Sequence, residues 1–299
     1  MGEPISTVAT GVAVAAGKEV ATVVSKGIGQ TVSDMWYSIY GYKWSEKRQK
    51  REIEVAYNVE KFKEEIQAKS NNIPEENRIE PDIDVIGSTL ESAKYRINKD
   101  EIRDMFSNLI VSAMDSSKAD DIHPSFSEMI KMLSPLDAQN LYYLHHYQDE
   151  TISQIQVNLE SGGYHTLYNH IFLGNPECQD NLQIEPSIDN LVRLKLVDVT
   201  YTEYKTQENL YEKHFSNPLF LSLKRDVEQK IESIKSNIKM LEDKSIINII
   251  DPSGKRLSDA EREELKKELQ RSMFFKDVEL KKGLIKLTAL GRNFCKVCL

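Results

Sequence analysis

The strongest constraint on the fold lies between residues 98 and 144, where apolar side chains recur at helical spacing and prolines punctuate the breaks. Ile102, Met105, Phe106, Leu109, Ile110 and Ala113 fall three or four residues apart, which places them on one face of an α-helix. Asn98, with Glu101 three residues on, has the form of a capping box, in which each side chain bonds the other's free backbone N–H. Pro124 can open a second helix whose Phe126, Ile130 and Leu133 face inward. Ser134-Pro135 then supplies an N-cap and a first-turn proline to a third helix carrying Leu141 and Leu144. Successive apolar stripes of this kind predict a compact helical body.

Upstream, Val55, Val59, Phe62 and Ile66 form another helical stripe that ends near Asn71-Asn72. The acidic, proline-punctuated stretch from Pro74 to Asp82 reads as a loop. Residues 5–33 differ in composition: Ala, Val, Gly, Ser and Thr dominate, and Lys18, Glu19 and Lys26 are the charged positions. Trp36, Tyr37, Tyr40, Tyr42 and Trp44 follow, then the basic Lys43, Lys47, Arg48, Lys50 and Arg51. Aromatic rings favour the lipid headgroup layer and basic side chains favour anionic lipid. The expected membrane contacts are therefore Trp36, Tyr37, Tyr40, Trp44, Lys47, Arg48 and Arg51. Lys18 and Glu19 interrupt the apolar run, so an interfacial helix fits better than a membrane span. The competing reading is a glycine-rich segment that packs on the helical body or has no fixed structure.

The C-terminal half predicts an interrupted winged helix. Ile188 to Leu196 reads as a short amphipathic helix running into the β-rich stretch Val197 to Tyr204. Leu284 to Leu287 is the expected returning strand, with a closing helix from Thr288. Between them Val227, Ile231, Ile234, Ile238 and Leu241 alternate by four and three residues, the spacing of a coiled-coil seam. A second capping box, Ser258 with Glu261, opens a charged helix through Leu265 and Leu269. The fold class expected is thus mainly α. A helical body is followed by a winged-helix-like α+β domain carrying a helical or coiled-coil insertion. The boundaries expected are 1–44 for the N-terminal segment, 45–133 for the helical domain and 134–299 for the winged-helix-like domain, with the insertion at about 205–280.

Composition limits what such a chain does. A net charge of −8 argues against a broad sequence-independent grip on DNA. Arg193 and Lys195 alone supply positive charge to the candidate recognition helix, and Asp189 opposes them, so nucleic acid is not an expected partner. Three cysteines, Cys178, Cys295 and Cys298, suggest a reducing compartment rather than a disulfide framework. Cys295 and Cys298 form a single CxxC, and zinc would need a second pair. Gly11 to Gly17-Lys18 approaches a phosphate loop, but the glycines stand one residue too far apart and Glu19 replaces the required hydroxyl residue. Among His123, His145, His146, His165, His170 and His214 there is no HExxH pair, and no GxSxG elbow occurs. No catalytic residue, cofactor site or metal site is therefore assigned.

Several blocks taken in order resemble a known family. They begin with Ile73-Pro74-Glu75 and Arg78-Ile79-Glu80-Pro81, and continue through Ile102-Arg103-Asp104-Met105-Phe106-Ser107-Asn108-Leu109-Ile110 with Asp115 after it. His123-Pro124-Ser125-Phe126, Ile130 and Leu133-Ser134-Pro135-Leu136-Asp137-Ala138 follow, and Leu287-Thr288-Ala289-Leu290-Gly291-Arg292-Asn293-Phe294-Cys295 closes the chain. Together they resemble the abortive-infection alpha family of bacterial phage-resistance proteins. The resemblance implies a role in phage defence and brings no catalytic residues with it. The expectation is a non-enzymatic antiphage protein that is cytoplasmic or peripheral at the inner face of the membrane, with the N-terminal segment as its membrane device. The alternative is an adaptor that binds a protein partner, or itself, through Val227, Ile231, Ile234, Ile238 and Leu241, without membrane action.

Overall fold

The computed structural model describes residues 49–147, 149–246, 249–250 and 254–299, with side chains from 56 onward. Its elements in chain order are α1 (Gln49–Ser70), α2 (Ile83–Ala93), α3 (Asp100–Ser112), α4 (Phe126–Met132), α5 (Pro135–Tyr147), β1 (Asp149–Leu159), β2 (Tyr164–Phe172) and α6 (Asn181–Arg193). There follow β3 (Val197–Thr200), α7 (Glu212–Phe215), α8 (Pro218–Glu242), α9 (Asp259–Ser272), β4 (Phe275–Leu287) and α10 (Ala289–Cys298). The described chain is mainly helical, with one four-stranded sheet in the order β2-β1-β4-β3. Its described residues divide into two compact units, 49–149, 186–198 and 286–299 in the first and 150–185 and 199–285 in the second. The units interleave along the chain.

The first unit is built around α3. Helices α1, α2, α4, α5 and α10 all pack against it. Its stripe is buried as the spacing predicts: Ile102, Met105, Phe106, Leu109 and Ile110 are each at most 1% exposed. Phe62 of α1, Leu90 of α2, Phe126 and Ile130 of α4, Leu141 of α5 and Phe294 of α10 complete this core. Phe126 meets Phe294 edge-on, with ring centroids 5.1 Å apart.

Two of the predicted helix starts fare differently. Ser134 caps α5 as expected: its Oγ accepts from the Asp137 N–H at 3.1 Å, while Asp137 Oδ2 accepts from the Ser134 N–H at 2.7 Å. The box at α3 does not form. Lys99 is the N-cap and no side chain caps the helix. Glu101 is drawn instead to Gln139 of α5, whose Nε2 donates to it at 3.1 Å. A tertiary partner has taken the carboxylate that would have reached back to Asn98.

The sheet of the second unit is larger than the wing expected from the sequence. A β1–β2 hairpin, absent from the sequence reading, pairs antiparallel from Ile152↔Phe172 to Asn158↔Tyr164. Its turn needs Gly162 (φ +90) and Gly163 (φ +81), where a side chain would be strained. β4 begins at Phe275, nine residues before the predicted return strand at Leu284, and lies between β1 and β3. Ile155, Val157, Ile171, Phe220, Val278 and Leu280 form the core beneath the sheet, with Val227 packed against it. α6 starts at Asn181, ahead of the predicted Ile188, and contains Pro186.

The closing helix starts as predicted. Thr288 Oγ1 accepts from the Gly291 N–H at 2.8 Å, and the Thr288 N–H donates to the Leu196 carbonyl at 3.1 Å. Gly291 is wedged against that same carbonyl: an added Cβ would lie 1.9 Å from Leu196 O. Gly291→Ala is therefore expected to force α10 off its seat and to lower stability by roughly 3 kcal/mol. Thermal or denaturant unfolding checks it, and an unchanged midpoint would show that the contact relaxes freely.

Candidate functional site

Among the described residues of the second unit, His214 is the histidine held wholly inside, with polar side chains on both sides of its ring. The short helix α7 positions it, and Tyr211 precedes it by one helical turn. From β1, Ser153 Oγ sits 2.9 Å from His214 Nδ1, and Thr151 Oγ1 sits 3.0 Å from Nε2. All three residues are at most 1% exposed. A neutral imidazole offers one donor and one acceptor, and two rotatable hydroxyls can satisfy both. Burial, and next to it the charge of Lys213, push the imidazole down to about 4, against the opposing pull of Glu150.

Glu150 and Tyr211 frame the cluster. Burial pushes Glu150 up, but the Thr151 N–H, which donates to it at 2.6 Å, and the Lys213 ammonium at 3.0 Å outweigh this and hold it below the ordinary carboxylate value. Tyr211 donates its hydroxyl to the Gly283 carbonyl at 2.7 Å and accepts from the Lys205 N–H at 3.2 Å. The Lys282 ammonium stands over three rings, 5.3 Å from Tyr211, 5.7 Å from Phe215 and 6.0 Å from Tyr204. Although a hydroxyl beside an imidazole is the beginning of a nucleophile–base pair, Ser153 Oγ here faces no solvent. What the geometry performs is a tie between β1 and α7. The sequence carries no signal for it, because Ser153 and His214 stand 61 residues apart.

The residues singled out from the sequence are distributed unevenly. Val227, Ile231, Ile234, Ile238 and Leu241 do share one face of α8. That face is largely used within the chain: Val227 joins the sheet core, Leu241 is buried, and α8 packs along α9 as a helical hairpin. Ile231, Ile234 and Ile238 are half-buried. The predicted box at α9 forms, with Ser258 Oγ accepting from the Glu261 N–H at 3.3 Å and Glu261 Oε2 accepting from the Ser258 N–H at 2.8 Å.

Trp36, Tyr37, Tyr40, Trp44, Lys47 and Arg48 lie outside the described residues, and Arg51 falls on α1 among residues described by backbone only. Among the described residues, no helix is long and apolar enough to cross a membrane. Nor does any group of three or more His, Cys, Asp or Glu stand together to hold a metal ion among them. Arg193 donates to its own helix, at 2.7 Å and 3.1 Å from Asn190 Oδ1. Burial pushes the Cys295 thiol up to about 12 and that of Cys298 well above its ordinary value, so both stay protonated and unreactive at neutral pH.

A family model for abortive infection alpha matches residues 54–298. The chain belongs to the abortive infection alpha family. No curated protein and no solved structure is similar enough to match. In this family member the family-like sequence blocks, distant along the chain, meet in the first unit. Asn108 Nδ2 donates to the Cys298 carbonyl at 3.1 Å, and Ser112 Oγ donates to the Val297 carbonyl at 2.9 Å. Lys296 pairs with Asp121, and the Phe126–Phe294 contact joins the same two stretches.

Because the folded state holds His214 deprotonated to about 4 and the unfolded chain protonates it near its ordinary 6.5, the unfolded state binds the extra proton between those values. Stability from this group is complete above about 6.5 and is lost as pH falls towards 4, by roughly 3 kcal/mol in all. His214→Gln keeps a donor and an acceptor but does not titrate. Its melting temperature should fall less steeply than that of the unsubstituted protein over this range. Parallel pH profiles for the two would reject the buried neutral imidazole.

Proposed function

We propose that this abortive infection alpha protein is a non-enzymatic antiphage protein that acts by binding, with residues 5–51 as its membrane-engaging part. The observation that carries the defence role is the family match across residues 54–298, which spans both compact units and stops short of the N-terminal segment. The membrane part rests on the order of that segment: small apolar residues, then Trp36, Tyr37, Tyr40 and Trp44, then Lys47, Arg48 and Arg51. Rings at headgroup depth and basic side chains on anionic lipid would hold the chain peripherally at the inner face of the cell membrane. The free cysteines Cys178, Cys295 and Cys298 support a reducing compartment.

The test is flotation of full-length protein beside a variant lacking Ile5 to Trp44, on anionic and neutral vesicles. Full-length protein should float, more strongly on anionic lipid, and the variant should remain in the dense fraction. The variant should also lose phage protection. If it protects cells as well as the full chain does, the membrane part of the proposal fails.

The α8–α9 hairpin favours a second reading, an adaptor that binds another protein through this arm. Met240 of α8 and Leu265 of α9 are 41% and 38% exposed, and Ile231, Ile234 and Ile238 are half-buried, so the arm has apolar side chains within reach of a partner. Replacing Ile231 and Ile238 by Asp should abolish partner capture. Met240→Glu, at an exposed position that leaves the hairpin intact, should weaken it at least about tenfold. Undiminished co-purification of partners with both variants would remove the arm from consideration.

A further inference from the structure

Along α6 the sequence offers an anion only Arg193 and Lys195, but folding of the first unit gathers further cations beside them. Two guanidinium nitrogens of Arg193 approach Met132 Sδ, each at 3.9 Å. Arg96, just after α2, donates to the carbonyl of the next residue, Leu133. Lys195 (φ +59) turns the chain out of α6, and its carbonyl accepts from Thr288 Oγ1. Beyond that junction Arg292 of α10 donates to the Leu287 carbonyl at 3.0 Å. These contacts lead from Arg96 through Arg193 and Lys195 to Arg292.

Such a group is out of character for a chain with 47 acidic and 39 basic residues. Among the described residues, none of these cations is paired with a carboxylate. Carbonyls hold Arg96 and Arg292, the Asn190 amide oxygen holds Arg193 at 2.7 Å, and the Lys195 ammonium has no partner. Neutral acceptors fix the arginines and leave their charge uncancelled. Arg193, Lys195 and Arg292 are exposed and Arg96 is half-buried. Asp189 and Asp198, on either side of Arg193 and Lys195 in sequence, are the carboxylates that oppose them. Next to Arg96, Tyr95 is 70% exposed, with the Lys94 ammonium 5.6 Å from its ring centroid.

We propose that Arg96, Arg193, Lys195 and Arg292, with the exposed ring of Tyr95 beside them, bind a single-stranded nucleic acid. The cations take phosphates and the ring stacks on a base, the pairing of charge and aromatic face that such strands require. A duplex fits less well. The outward positions of α6 before Arg193 are Leu182, Gln183, Pro186 and Asp189, so the helix has no basic face to lay in a groove. Lipid fits less well too, because Met132, the exposed apolar side chain beside Arg193, is covered by the guanidinium. The site lies wholly in the first unit, and it does not rest on the membrane reading.

Fluorescence anisotropy of a labelled single-stranded oligonucleotide of mixed sequence, titrated with the full chain, tests this. Binding should weaken with salt, with a log–log slope of roughly −3 if each cation takes one phosphate. Lys195→Gln should weaken binding and make the slope shallower by roughly 0.7. Tyr95→Ala should weaken it by roughly tenfold and leave the slope unchanged. Both positions are exposed, so neither change disturbs the core. A duplex of the same sequence should bind less tightly. Absence of salt-dependent binding, equal or tighter binding of the duplex, or strand binding that either variant leaves unchanged would overturn the proposal. So would a Lys195→Gln protein that loses flotation on anionic vesicles but keeps its strand binding, since the surface would then serve lipid.

Discussion

A helix buried around most of its circumference must find a partner for every polar side chain it carries, and in this protein that helix is α3. Its apolar stripe alone would seat it in several registers, since Leu, Ile and Met interdigitate tolerantly. The polar residues permit one. Arg103, 3% exposed, donates to Glu65 of α1 at 2.9 Å, to Asp100 at 2.6 Å and to the Ile97 carbonyl at 3.0 Å. Ser107 accepts from Lys69 of α1 at 2.6 Å, and Asn108 and Ser112 reach the last carbonyls of α10. A buried cation left without its carboxylates costs several kcal/mol, so a displaced α1 is penalised far more than a displaced Leu would be. The polar pattern on α3 therefore holds α1 and α10 in place together.

The second unit obeys the same physics with a different group. His214 is kept neutral between Ser153 and Thr151, because burial and the charge of Lys213 together outweigh the pull of Glu150 on an imidazolium there. The tie joins a strand to a four-residue helix that could not persist alone. Lys282, over the rings of Tyr204, Tyr211 and Phe215, holds the outer side of the same region.

Family membership acquires a physical sense from these contacts. The blocks that carry the resemblance to abortive infection alpha are chiefly the parts of α3, α4, α5 and α10 that make the first unit: caps, core side chains and the Gly291 wedge. In this structure they form a scaffold. The proposed activities rest instead on the segment before residue 54 and on the α8–α9 arm.

The sequence by itself determined the helical body, because spacing of three and four residues has one physical meaning when prolines and caps bracket it. The stripes of α1, α3 and α4, the caps at Ser134, Ser258 and Thr288, the long helix through Ile231 and Ile238, and the family were all legible. The β1–β2 hairpin was written less plainly. Gly162-Gly163 marks its turn, but register shifts around Ile155 break the alternation between Ile152 and Val157 that would announce a strand. Pro186 hid the early start of α6, since the missing N–H usually marks a helix boundary. Only the tertiary structure decided the rest. Glu101 chose Gln139 over its cap, Val227 left the predicted seam for the sheet core, and His214 met hydroxyls about sixty residues away. Each of these choices pits a local bond against a distant one, and burial makes the distant one stronger.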